Sequence, residues 1–171
     1  LDKYPVMPPH AFARIVRDLR TLNIIYQVIE PPLTKKEEGI RSEIMDIFIQ
    51  ALTADIDEID ANPELYLRAA MDQIIKSYRL KVNKKSRSKI FYYLKRDLIG
   101  YGRMDVLMND ANVEDVSLDG TNIPIFAYHR KFESVETTIA WPNDVELESY
   151  VIKLAQRCGK HISVAEPLLD A

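Results

Sequence analysis

Cys158 and His161 stand three positions apart, a spacing that can offer a sulfur and a nitrogen to zinc. A closed zinc site needs two more ligands, and the chain has one cysteine and no second pair at metal-like spacing. Cys158 also falls in register with Leu147, Tyr150, Val151, Leu154 and Ala155, which predicts a core cysteine on a buried helix stripe. Asp105, Asp110, Glu114, Asp115 and Asp119 crowd a short stretch, yet no glycine occupies the bend a calcium loop demands. Turn and cap duties account for them.

Phosphate chemistry fares no better. The glycines are Gly39, Gly100, Gly102, Gly120 and Gly159, and none fits a phosphate-cradling loop. Gly159-Lys160 has Leu154 where that loop needs its first glycine, and His161 where it needs a hydroxyl. No serine occupies a G-x-S-x-G elbow, and His10, His129 and His161 lie in unlike contexts. The sequence therefore assigns no catalytic, cofactor-binding or metal-ligating residue.

One stretch is electrostatically unusual. Between Asp72 and Asp97 no acidic residue occurs, while Lys76, Arg79, Lys81, Lys84, Lys85, Arg87, Lys89, Lys95 and Arg96 do. Such a local positive field attracts an acidic partner, anionic head groups or nucleic acid. A plain solvated helix-loop-helix junction has the same look, with Lys76, Arg79 and Lys81 opposing a helix C-terminus. Lys81, Lys84, Lys85, Arg87 and Lys89 form the candidate docking patch. The net charge of −3 argues against the whole chain being a nucleic-acid binder.

These residues sit in a chain of 171 residues, 47% apolar and 29% charged, which suits one medium domain or two small ones. A lone cysteine fits a reducing cytoplasm. No apolar run reaches bilayer-spanning length, and Arg14, Arg17, Asp18 and Arg20 break up the first apolar stretch, so no signal peptide is expected. With Leu1 first and no closing element at the end, the sequence reads as a piece of a longer polypeptide.

The spacing predicts a β-hairpin from Ala11–Arg17 and Asn23–Glu30, ended by Pro31 and Pro32. Thr34 and Glu37 form a capping box for a helix with Ile40, Ile44, Ile47, Phe48, Ala51 and Leu52 on one face. Asn62-Pro63 opens a second helix, with Leu67, Ala70, Met71, Ile74, Ile75 and Tyr78 inward. Ser86 is the expected cap of a third, with Ile90, Leu94 and Leu98 inward and Gly100 as its stop. Strands are expected next at Val113–Leu118, Ile123–Tyr128 and Ser134–Ile139, with a turn at Asp119-Gly120. Asn143 caps a last helix that Gly159 ends. The expected fold is α+β. Residues 1–99 hold the hairpin and a three-helix unit, and residues 100–171 hold a small β-sheet plus helix of PAS type.

Several runs resemble a known family. RDLIGYGRMDVLMNDANVEDVSLDG, IPIFAYHRKFESVETTI and IKLAQRCGKHISVAEPLLDA are similar to the N-terminal region of archaeal secretion ATPases of the type II/type IV pilus superfamily. YPVMPPHAFARIV and YQVIEPPLT look like the N-terminal hairpin of the same proteins. The resemblance implies a non-catalytic clamp or docking region of a cytoplasmic hexamer, peripheral to the inner face of the membrane. Such a motor powers protein secretion, pilus or archaellum assembly through a downstream P-loop domain. It also implies ATP and magnesium for the longer parent but no cofactor here. Its expected partners are the chain's own motor domain, neighbouring subunits and a polytopic membrane platform protein. Arg130, Lys131, Arg157 and Lys160 become candidate interdomain or subunit contacts. The alternative is a stand-alone PAS-like sensory or adaptor domain.

Overall fold

The computed structural model describes residues 1–51 and 62–159. Two compact units emerge: one from residues 1–6, 12–29 and 106 onward, the other from residues 7–11 and 30–105.

The first unit is built on a six-stranded mixed sheet. β1 (Asp2–Met7), β2 (Ala11–Arg17), β3 (Ile24–Ile29), β4 (Val113–Ser117), β5 (Phe126–His129) and β6 (Glu133–Thr137) lie in the order β1-β2-β3-β6-β5-β4. The expected hairpin forms, with Phe12 opposite Ile29 and Arg17 opposite Ile24. Alternation decides which face is buried: Ala11, Ala13 and Ile15 point inward while Arg14 stays in solvent. β3 and β6 run parallel, with Ile25 opposite Glu136, and the β5 pairings to β6 and β4 are antiparallel. Gly120 adopts φ +138° between β4 and β5, a conformation that L side chains rarely adopt. Asn143 accepts a hydrogen bond from the Glu146 amide at 2.9 Å to cap a helix over Asp144–Arg157, and Tyr150 of that helix packs on Trp141.

Among the described residues the second unit packs three helices: α1 (Lys35–Ala51), α2 (Pro63–Ser77) and α3 (Lys84–Leu98). A 3₁₀ turn (Gly102–Met104) and a one-turn helix, α4 (Asp105–Met108), come next in the chain, and the capped helix of the first unit is therefore α5. Ile44, Leu67, Met71, Ile74, Ile90, Phe91 and Leu94 form the helical core. The capping box is reciprocal: the Thr34 amide donates to Glu37 at 2.8 Å and the Glu37 amide to Thr34 Oγ1 at 3.2 Å. Asn62 caps α2 through the Leu65 amide at 3.0 Å. A Cβ on Gly100 would collide with the Asp105 carboxylate, which accepts the Tyr101 amide at 2.9 Å.

The structure departs from the sequence reading in five places, one of them Tyr78, which was expected inward but is exposed because α2 ends at Ser77. The hairpin strands join β4–β6 in one sheet, so the boundary at 99/100 does not separate hairpin from sheet. β1 went unread because Pro5 interrupts it; at a sheet edge proline is tolerated. α3 is capped by Asn83, not Ser86, whose amide is the donor at 2.8 Å. Cys158 is exposed at the C-cap of α5, not on a buried stripe, because the helix ends one residue short of it. Leu52 and the segment from Lys160 to Ala171, including His161, lie outside the described residues.

Candidate functional site

Two side-chain clusters, one in each unit, are rich in polar chemistry. In the first unit Asp110 is the centre. Its Oδ2 accepts from the Tyr4 hydroxyl at 2.7 Å and the Tyr26 hydroxyl at 2.6 Å. Its Oδ1 accepts from the Asn112 amide at 2.9 Å and the Asn112 side chain at 3.1 Å. His129 completes the set. The Lys131 amide donates to Nδ1 at 3.1 Å, which leaves Nε2 to carry the proton and meet the Tyr4 oxygen at 3.0 Å. Desolvation is the main reason the His129 pKa lies below 6.5, so the ring is neutral at pH 7. Burial first, and then the Asp110 charge, push the Tyr4 and Tyr26 hydroxyls well above their usual range.

A carboxylate, a histidine and two phenols resemble catalytic apparatus in composition. Their arrangement does not. Asp110 is 5% exposed and His129 2%, and both Asp110 oxygens and both His129 ring nitrogens already have partners. The cluster tethers β1, β3 and β5 to the turn after α4. Sequence separations of 84 to 125 residues join these groups, so no local motif announces them.

The other carboxylates serve locally. Asp119 accepts from Ser117, and Glu114 pairs with Arg130 at 3.0 Å. Lys131 pairs with Asp2 at 3.3 Å and lies over the Phe132 ring. Both pairs are exposed and therefore weak. Arg157 is in the last turn of α5, where a cation meets the negative helix end; Lys160 is outside the described residues. Gly159, with φ +68°, closes α5.

The second cluster arises from the basic run. Four of its cations have counterions: Arg96 grips both Glu30 oxygens at 2.9 and 2.8 Å, Lys89 meets Glu37 at 3.2 Å, Lys95 meets Glu64 at 2.6 Å, and Arg87 pairs with Asp72. The Thr34 amide is the chief cause that holds the Glu37 carboxyl down at about 2, with Ser86 and Lys89 adding to it. Lys81, Lys84 and Lys85 have no hydrogen bond or ion pair among the described residues. Lys84 and Lys85 also occupy the first turn of α3, where the helix dipole disfavours cations, whereas α1, α2 and α5 carry acids there.

Helical geometry divides the candidate patch between two hollows. Lys84 and Arg87 line a groove of about 770 Å³, joined by Ser88, Phe91, Tyr92 and Lys95 of α3, by Glu64, Arg68 and Met71 of α2, and by the Met7–His10 turn. Lys81, Lys85 and Lys89 line a smaller hollow of about 350 Å³ beside Thr34 and Glu37. Residues three and four apart share a helix face and adjacent ones do not, so Lys84 and Lys85 part company. His10 holds the turn in place through Ser88 at 3.0 Å and by packing on the Tyr92 ring. Arg68, whose guanidinium covers the Phe91 ring at 4.0 Å, escaped the sequence reading because it lies outside the acid-free run.

No known family model matches the chain. It is similar to uncharacterized protein MJ1288 of Methanocaldococcus jannaschii, with 40% identity over 146 residues, 85% of this chain and 58% of that protein. Uncharacterized proteins MJ0900 and MJ0781 of the same organism are each 34% identical, over 92 and 82 residues. Those matches take in 54% and 47% of this chain but 16% and 11% of the relatives. The chain thus spans little more than half the length of the first relative and a minor part of the other two.

Proposed function

We propose that this chain is a non-catalytic docking region of a secretion ATPase, a piece that positions partners while nucleotide is hydrolysed by polypeptide downstream. One observation carries the reading. Related sequence makes up 58%, 16% and 11% of three archaeal proteins, as expected of a module joined to larger machinery. The likeness of its sequence runs to secretion-motor N-terminal regions points to the kind of machinery. The saturated Asp110 cluster suits a stiff element that transmits motion without reacting.

In this reading the parent works as a cytoplasmic hexamer at the inner membrane face, with ATP and magnesium held wholly by the downstream domain. The platform protein and neighbouring subunits meet the exposed cations, Arg130 and Lys131 in one unit and the lysines of α3 in the other. Among the described residues no helix is long and apolar enough to cross a membrane.

The test is an ATPase comparison. The chain alone should turn over no ATP above background, and the product of its full reading frame should hydrolyse it with magnesium and elute as a hexamer. Turnover by the chain alone, or a full-length product with no hydrolytic activity, overturns the proposal.

A further inference from the structure

The groove between α2, α3 and the Met7–His10 turn is formed wholly by the second unit, so its chemistry is independent of whatever machinery the chain belongs to. Its floor is apolar, with Met7, Met71, Val82 and Phe91. Its rim carries four cations, Arg68, Lys84, Arg87 and Lys95. Among the described residues only two carboxylates answer them: Glu64 serves both Lys95 and Arg68, at 2.6 and 3.6 Å, and Asp72 serves Arg87. All three pairs are solvent-exposed and hence readily exchanged for other acids. Lys84 has no counterion among the described residues.

We propose that this groove receives an acidic, amphipathic segment of a partner polypeptide, with apolar side chains on the floor and carboxylates on the four-cation rim. Charge complementarity selects the occupant. The volume, about 770 Å³, has room for several side chains, and an amphipathic segment laid in an apolar groove is a recurring mode of recognition. Nucleic acid fits less well. Phe91 and Tyr92 are 7% and 6% exposed, which leaves no open ring face for a base. A flat bilayer surface cannot reach the floor of a concavity such as this one.

The experiment is fluorescence anisotropy on the intact chain with a fluorescein-labelled peptide of glutamate pairs alternating with leucine. Control peptides carry lysine for glutamate or serine for leucine; a labelled single-stranded oligonucleotide and phosphatidylglycerol vesicles serve as the other probes. The glutamate-leucine peptide should bind, and both control peptides should bind at least about tenfold more weakly. Lys84→Glu should weaken binding about tenfold, and Lys85→Glu, on the other face, should leave it unchanged. Lys84→Ala, which removes charge without adding any, should give an intermediate loss and guards against a disturbed α3. No binding, equal losses for Lys84→Glu and Lys85→Glu, or a serine peptide that binds as well as the leucine peptide overturns the proposal. So does binding of the oligonucleotide or the vesicles with the same Lys84 dependence.

Discussion

The Asp110 cluster and the α3 groove are both dense in charged and aromatic residues, yet they are opposites. Around Asp110 four donors converge on one carboxylate, and the neighbouring histidine uses both ring nitrogens. On α3 cations outnumber their partners, and two lysines sit where the helix dipole works against them. The first arrangement gains everything from folding and leaves nothing for a ligand. The second gives up some stability and keeps a field for something to answer. Satisfaction of polar groups, more than their identity, separates scaffold from candidate site.

That contrast can be broken or sharpened by measurement. The largest effect should come from Asp110→Ala, which orphans the buried Tyr26 hydroxyl, the half-buried Tyr4 hydroxyl and the Asn112 amide; a loss of about 3–5 kcal/mol in urea unfolding is expected. A variant as stable as the parent would mean that the cluster is not a tether. Tyr26→Phe removes one donor and keeps the ring, so its cost should be about 1–2 kcal/mol in the same assay.

Acid should strain the cluster through His129. Its folded pKa lies below 6.5, so the unfolded chain binds the proton more readily. The stability it contributes is complete above pH 6.5 and falls as pH drops through that value. Urea midpoints from pH 8 to pH 5 should decline, and His129→Gln should flatten that decline more than His10→Asn does, although burial also lowers the His10 pKa. Equal slopes for the two variants would remove the special role of His129.

The smallest effect has the opposite sign. Lys84→Glu places an acid at the positive end of α3 and should raise stability by about 0.5 kcal/mol, seen as a higher melting temperature. Should the melting temperature drop, Lys84 has a structural partner and the groove is no longer underused. A rise together with loss of peptide binding is the signature of a residue kept for recognition at a cost in stability.

The elements were legible where local chemistry is strong. Thr34-x-x-Glu37, Asn62-Pro63 and Asn143 act within a few residues of chain, and each performs the cap its type suggests. The cap of α3 was misplaced because Asn83 and Ser86 are both good caps three residues apart, and only the backbone chooses. β1 was hidden by Pro5, whose tolerance depends on an edge position that no window of sequence contains. The basic run was visible in composition, but its division into two faces appears only when α3 is wound.

What the sequence determined by itself was the elements with strong local caps or periodicity, the absence of a phosphate loop and the excess of positive charge near α3. All of these depend on neighbours in the chain or on simple counting. The tertiary structure decided which strands share a sheet, that Asp110, His129, Tyr4 and Tyr26 meet, and that the Met7–His10 turn closes a groove with Arg68. Those outcomes require loops of tens of residues to close, and loop closure is driven by burial summed over the whole unit rather than by any local pattern.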